Sequence, residues 1–101
     1  MYLSHRTENG IIVVDLSGEL DHHAARECIN YIENVIDMNL PKNLDINLAR
    51  LGFMDSSGLA VVMGAYRRMK SISGRLRVTN APRHAIRVLN ASGLNKIVNI
   101  E

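Results

Sequence analysis

The chain has 101 residues, of which 47% are hydrophobic, and a net charge of +2, which suits one globular domain with a modest core. Its single cysteine excludes an intrachain disulfide, and no N-terminal apolar leader or membrane-length apolar run occurs. These features argue against a disulfide-stapled secreted domain and a membrane-spanning protein. They predict a cytoplasmic protein with no membrane partner.

The first third of the chain predicts a hairpin followed by an amphipathic helix. Asn9-Gly10 separates residues 2–7 from residues 11–17, and this dipeptide favours a two-residue hairpin turn. The second segment begins with four apolar residues in a row, which indicates a strand covered on both faces. Asp21 is expected to cap the helix that follows. Apolar residues recur there at helical spacing: Ala25, Cys28, Ile29, Ile32, Val35 and Ile36.

The rest of the chain alternates between strand and helix patterns. Strands are predicted at residues 44–48, 75–79 and 96–100, with helices that begin near Ser56 and Pro82. The order β-β-α-β-α-β-α-β predicts a single α/β domain over residues 1–101. Its sheet is expected to be mixed but mainly parallel, with about five strands, an N-terminal β-hairpin and three or more helices.

A tight polar corner, Asp55-Ser56-Ser57-Gly58, precedes the second predicted helix. Ser56 and Ser57 should therefore lie at a helix N-terminus on the surface, where free N–H groups and the helix dipole stabilise an anion. Two interpretations follow: the Ser56 hydroxyl only caps the helix, or it accepts a phosphate. The next two turns are apolar on almost all sides, and an apolar stripe facing outward would form a partner surface.

The predicted topology suggests which loops lie near this corner. Loops at the carboxyl ends of parallel strands gather at one side of a sheet. Residues 18–23, 54–58 and 79–82 are therefore expected to come together. Gly58 and Gly64 both lie within the predicted helix region, where glycine is unfavourable by about 1 kcal/mol relative to alanine. Gly58 is expected to permit close approach of a partner, and Gly64 close approach of a neighbouring element.

Enzymatic and metal-dependent chemistry are poorly supported. Met54 stands where a nucleophile elbow has its first glycine, and His22 is the only plausible base for Ser56. Asp21, His22 and His23 are consecutive, so on a helix their side chains diverge instead of converging on a metal. The sequence therefore predicts a protein that is not an enzyme.

Binding of nucleotides and nucleic acids is also disfavoured. Neither glycine-rich phosphate-binding motif occurs, so no cofactor is predicted and the ATP for any phosphorylation must come from another protein. The basic residues near 67–70 and 75–77 are not interleaved with aromatic side chains, which favours a solvated helix end over a nucleic-acid surface.

Two stretches carry a family resemblance. FMDSSGL at residues 53–59 and GELDHH at residues 18–23 closely resemble the STAS domain of anti-sigma factor antagonists of the sporulation type, and the likeness covers nearly the whole chain. The resemblance implies that the unphosphorylated protein binds an anti-sigma factor that is also a serine kinase, which frees a sigma factor for transcription. The kinase would phosphorylate Ser56, the first serine of the corner, and a serine phosphatase would restore binding.

The resemblance also implies a partner surface and one alternative function. The residues expected to contact or border the partner are Asp21, His22, Met54, Asp55, Ser57, Gly58 and Leu59. Family members usually continue into another helix after the last strand, whereas this sequence ends at Glu101, and an uncovered apolar face would favour self-association. The alternative is a scaffold-type STAS domain of a stress-signalling assembly, which size-exclusion mass would distinguish from a small antagonist.

Overall fold

The computed structural model describes residues 1–101 as a five-stranded sheet with three α-helices. The strands are β1 (Tyr2–Glu8), β2 (Ile11–Leu20), β3 (Asn43–Met54), β4 (Arg75–Thr79) and β5 (Asn99–Ile100). The helices are α1 (His22–Asn39), α2 (Ser57–Ser71) and α3 (Arg83–Ala91), and a 3₁₀ turn covers Leu94–Lys96. β1 pairs with β2 antiparallel and the other neighbours are parallel, which confirms the predicted α/β fold with an N-terminal hairpin.

The hairpin turn has the geometry that its two residues favour. Asn9 and Gly10 have φ angles of 52° and 79°, and Glu8 lies opposite Ile11 in the register. Positive φ at both central residues is the signature of the two-residue hairpin turn that matches strand twist. This local signal therefore fixes the register of the first two strands.

Connectivity places the three helices on one face of the sheet. The strands lie in chain order, β1-β2-β3-β4-β5, so the three parallel crossovers step in the same direction. Right-handed crossovers then put every helix on the same side. The core of 23 buried residues lies between this face and the helices, and it includes the fully buried Val14, Ile46 and Val78 from adjacent strands.

The opposite face of the sheet carries polar side chains, so the prediction that β2 is covered on both faces is wrong. Val13 is only 6% exposed but lies outside the main core. It lines a groove of about 470 Å³ together with Asp45 and Arg77. Asp45 accepts a 2.7 Å hydrogen bond from Thr79 Oγ1, and its Oδ2 lies 3.1 Å from Arg77 Nη2. Paired polar side chains, in place of helices, bury Val13.

β2 and β3 run further than the sequence pattern indicates. Their predicted ends were residues 17 and 48, whereas the structure continues them to Leu20 and Met54. Ser17 lies opposite Arg50 and Glu19 opposite Phe53, with register shifts before each pair. β3 therefore contains two β-bulges, which bend the strand and increase its twist.

The end of the chain also differs from its predicted form. In place of a strand over residues 96–100, a 3₁₀ turn at Leu94–Lys96 precedes a two-residue strand. Leu94 and Val98 are buried in the core, and Gly93 enters the turn at a φ of 79°. None of the helices is long and apolar enough to cross a membrane.

Gly64 gives a stability prediction. A Cβ atom added at Gly64 would have nothing within 4 Å, so the expected close approach of a neighbouring element is wrong. Because alanine is a better helix former and restricts the unfolded chain, Gly64→Ala should stabilise the domain by about 0.4–1 kcal/mol in urea unfolding.

Gly74 provides the matched control for that substitution. A Cβ atom there would lie 2.5 Å from Met69 Cε and 3.0 Å from the Pro41 carbonyl oxygen. Gly74→Ala should therefore destabilise the domain. A loss of stability in Gly64→Ala would contradict the open space seen at that position.

Candidate functional site

The polar corner lies where β2 and β3 extend past the end of β4. β4 ends with Thr79 opposite Asn47, whereas β2 and β3 stay paired to Leu20 and Met54. The Asp55 N–H donates to the Leu20 carbonyl at 3.3 Å. The structure thus joins two of the three predicted loops, residues 18–23 and 54–58.

The third loop lies elsewhere. Asn80 Nδ2 donates to Asn47 Oδ1 at 3.0 Å, which places residues 79–82 beside the middle of β3, well before Met54. The prediction that this loop joins the corner is wrong because β4 is too short to reach it. Of the residues that follow β4, those of α3 approach the extension of β3, where His84 Nε2 lies 3.2 Å from the Leu51 carbonyl oxygen.

Asp55, and not Ser56, provides the side-chain cap of α2. Ser56 already has helical angles, with φ −62° and ψ −16°, and its side chain makes no capping hydrogen bond. Asp55 Oδ1 accepts from the Ser57 N–H at 2.8 Å, and the Asp55 carbonyl accepts from the Gly58 N–H at 3.0 Å. The exposed Ser56 hydroxyl is therefore not used to start the helix.

The loop on the other side of the corner is fixed by a second cap. Asp21 Oδ1 accepts from the N–H groups of His23 and Ala24, each at 3.0 Å, as predicted for the start of α1. These hydrogen bonds, that of Ala24 foremost, lower the pKa of Asp21 below its usual value because they stabilise the carboxylate. A carboxylate is therefore held in a defined position beside the corner.

His22 lies at the first position of α1, exposed to solvent. Its ring packs against that of His23, with centroids 3.9 Å apart, and no hydrogen bond joins it to Ser56. The base-to-nucleophile contact that acyl transfer requires is therefore not formed. No group of three or more His, Cys, Asp or Glu side chains is placed to hold a metal ion.

Met54 and Gly58 support the corner from below. Met54 is 4% exposed, so its side chain is not available to a partner at the surface. A Cβ atom added at Gly58 would lie 2.6 Å from Met54 Cγ and 2.7 Å from its sulfur. The expectation that Gly58 makes room for a partner is therefore corrected: the methionine beneath it occupies that space.

α2 presents fewer large apolar side chains to solvent than the sequence suggests. Val61, Val62 and Ala65 face the core, and Leu59 and Met63 are partly buried against it. The expectation of an outward apolar stripe on this helix is therefore wrong. Leu59 and Ser57 remain half-accessible at the start of the helix, where they border Ser56.

Phe53 is a large apolar side chain near the corner that the sequence analysis did not include in the predicted partner surface. It is 45% exposed and lies three residues before Ser56. Strand alternation gave no signal for this exposure, because it depends on a β-bulge that is set by pairing with β2.

Cys28 takes no part in the site. It is fully buried in α1, and burial raises the pKa of its thiol to about 11. A protonated, inaccessible thiol is unreactive and serves as packing.

The contact between Met54 and Gly58 predicts an energetic coupling. Gly58→Ala should lower the free energy of unfolding by about 1 kcal/mol, because overpacking against Met54 outweighs the gain in helix propensity. Met54→Ala should cost about 2–5 kcal/mol and leave a cavity. In that background Gly58→Ala should be neutral or stabilising.

A double-mutant cycle by urea denaturation measures this coupling. Gly64→Ala is the control, since no neighbouring atom surrounds a Cβ at that position and its effect should not depend on Met54. If Gly58→Ala lowers the free energy of unfolding equally with and without the Met54 side chain, contact with Met54 is not the reason that position 58 requires glycine.

Comparison with known proteins places this geometry in a family. Residues 2–101 match the STAS domain family. The chain is 39% identical over 93 residues to an anti-sigma F factor antagonist of Paenibacillus polymyxa, covering 90% of this chain and 78% of the relative. The solved structure of the anti-sigma factor antagonist SpoIIAA in its unphosphorylated form matches with a TM-score of 0.82 at 30% identity, covering 99% of this chain and 88% of that one. The Bacillus cell fate determinant SpoIIAA in the phosphorylated form matches with a TM-score of 0.74 at 30% identity, over 99% and 91% of the two chains. The chain belongs to the STAS domain family.

Proposed function

We propose that this protein is an anti-sigma factor antagonist whose binding is switched off by phosphorylation at Ser56. One observation carries the proposal: the Ser56 hydroxyl is exposed at a helix start but makes no capping bond, because Asp55 caps α2. An exposed hydroxyl with no structural role, at the positive end of a helix dipole, suits phosphate transfer. The similarity to relatives named as anti-sigma factor antagonists supports the same function.

The proposed cycle involves two protein partners. Unphosphorylated, the domain binds an anti-sigma factor that is also a serine kinase, and the sigma factor is released. The kinase then phosphorylates Ser56 and the complex separates, after which a serine phosphatase restores binding. This chain contributes the acceptor and the docking surface and is not itself an enzyme.

The proposed docking surface surrounds the corner. Asp21, His22 and Asp55 border it from the two joined loops, and Ser57 and Leu59 border it from α2. Met54 and Gly58 act indirectly, by fixing the height and angle at which α2 leaves the strand.

A phosphate should change the interface more than the fold. It brings a charge of about −1.5 to −2, which a helix N-terminus tolerates or stabilises by roughly 0.3–1 kcal/mol. Asp55 already accepts from the Ser57 N–H and repels the phosphate, so the net effect on stability should be small. At a protein interface an unpaired buried charge costs several kcal/mol. Phosphorylation is therefore expected to block docking without refolding the domain.

The choice of acceptor is tested by two single substitutions. Ser56→Ala should abolish phosphate incorporation by the cognate anti-sigma factor kinase, whereas Ser57→Ala should retain some. Radiolabelled ATP and mapping of the modified residue measure both. Full labelling of Ser56→Ala would exclude the proposed acceptor.

The blocking mechanism is tested by comparing affinity with structure. Phosphorylation should weaken partner binding about a thousandfold, which corresponds to ~4 kcal/mol, while the melting temperature changes little. Ser56→Asp should reproduce part of the loss, since it carries one charge and fewer acceptor oxygens. Calorimetry, thermal unfolding and backbone NMR shifts measure these effects. Shifts far from Ser56, or equal affinity of both forms, would contradict the mechanism.

The same preparation separates the antagonist from the scaffold alternative. A monomer or dimer by size-exclusion mass fits the antagonist. A very large assembly would instead favour a scaffold-type STAS domain.

A further inference from the structure

Phe53 is exposed at a place where an exposed aromatic ring needs an explanation. It is the only phenylalanine of the chain and is 45% exposed. Of the other exposed large apolar residues, Met1 lies beside Gly18. The rest lie on β1, at the end of α1 and after the 3₁₀ turn: Tyr2, Met38, Leu40 and Ile97. Phe53 alone among them lies on the strand that leads into Ser56.

A β-bulge produces this exposure. Gly18 lies opposite Leu51, and Glu19 lies opposite Phe53, so Gly52 is an extra residue on β3. Leu51 and Met54 are buried, and both residues between them are exposed. In a regular strand that followed buried Leu51, Phe53 would point into the core. The backbone is therefore built to turn this ring outward, as bulges near functional sites do.

Gly52 leaves the backbone beside the ring uncovered. Its φ is not positive, and an added Cβ atom would meet only the Gly18 carbonyl oxygen, at an ordinary distance of 3.6 Å. The fold therefore does not require glycine at this position. What glycine does provide is a flat strip of main chain next to Phe53, onto which another protein can pack closely.

The surroundings of Phe53 indicate the chemistry of the occupant. Glu19 is its cross-strand neighbour, and Asp21 and Asp55 flank the adjoining loops. None of these three carboxylates has a lysine or arginine partner. An exposed ring within a set of unpaired carboxylates is complementary to an apolar pocket with a basic rim.

We propose that Phe53 is the apolar anchor by which the anti-sigma factor holds this domain. The ring enters an apolar pocket, the Gly52 backbone lies against the pocket wall, and basic side chains at the rim face Glu19 and Asp21. This inference rests on the proposed function and adds to it the contact that supplies affinity. Large aromatic side chains in fully desolvated pockets are the usual hot spots of protein interfaces.

The single phenylalanine allows a direct test in the full chain. Biosynthetic incorporation of 4-fluorophenylalanine gives one ¹⁹F resonance, which belongs to residue 53. Titration with the purified anti-sigma factor encoded in the same genome should shift this resonance and protect it from a soluble paramagnetic reagent. In a parallel sample labelled with 3-fluorotyrosine, the resonance of Tyr2, which is 72% exposed on β1, should keep its shift and its accessibility.

Substitutions give the corresponding change in affinity. Phe53→Ala should weaken binding of the anti-sigma factor by at least about 30-fold, the usual threshold of a hot spot. Gly52→Ala should weaken it by a smaller factor, and Tyr2→Ala should have no effect. All three variants should melt near the wild-type temperature, because the altered side chains are exposed.

The possible results separate this inference from the function on which it rests. If the wild-type protein does not bind the anti-sigma factor in calorimetry, the proposed function fails and the anchor fails with it. If the wild type binds, its ¹⁹F resonance stays exposed in the complex and Phe53→Ala binds equally well, only the anchor is wrong. A shift that depends on protein concentration without partner would assign the ring to a second copy of this chain and would also overturn the proposal.

Discussion

The irregular pairing of β3 with β2 determines the rest of this site. Two bulges change the burial pattern of β3 from alternation to a three-residue spacing, with Leu48, Leu51 and Met54 buried. That spacing delivers Met54 beneath Gly58 and turns Phe53 outward. The start of α2, the position of Ser56 and the exposed ring are therefore consequences of one backbone feature. In a regular strand of the same sequence, the Phe53 ring would face the core and the Met54 side chain would face away from it.

Several elements could be predicted from the sequence because interactions between residues close together in the chain determine them. The Asn9-Gly10 turn, the Asp21 cap and the bounds of β4 agree with the structure. Each depends on residues within a few positions of one another. The α/β fold and the mixed sheet followed from the order of these elements, since crossover handedness and loop length leave few other arrangements.

The features that the sequence did not reveal are of two kinds. Some depend on pairing with residues distant in the sequence, and in others two neighbouring residues could serve equally well. The ends of β2 and β3 are set by the pairing of Leu20 with Met54, which no local pattern reports. Ser56 and Asp55 are both good capping residues, and only the helical angles of Ser56 assign the cap to Asp55. An apolar run such as residues 11–14 does not show whether helices or paired polar side chains cover its second face. Gly58 and Gly64 look alike in sequence, yet only one of them has a neighbour in the way.

The distribution of charge along the chain bears on how a phosphate at Ser56 would act. Nine of the ten acidic residues precede Ser56, and eight of the twelve basic residues follow it. Because the strands lie in chain order, this division becomes an acidic side and a basic side, with Ser56 at their boundary.

A phosphate adds to the acidic side, so a basic partner would be attracted more strongly at long range. Exposed charge pairs contribute only about 0–1 kcal/mol, however, and salt screens them. The desolvation of an unpaired dianion next to Leu59 costs several kcal/mol. In the proposed complex the partner's basic side chains face Glu19 and Asp21, so they would not be free to offset that cost. The desolvation cost of the phosphate is therefore larger than the gain in long-range attraction. A modification that increases electrostatic attraction can still prevent binding.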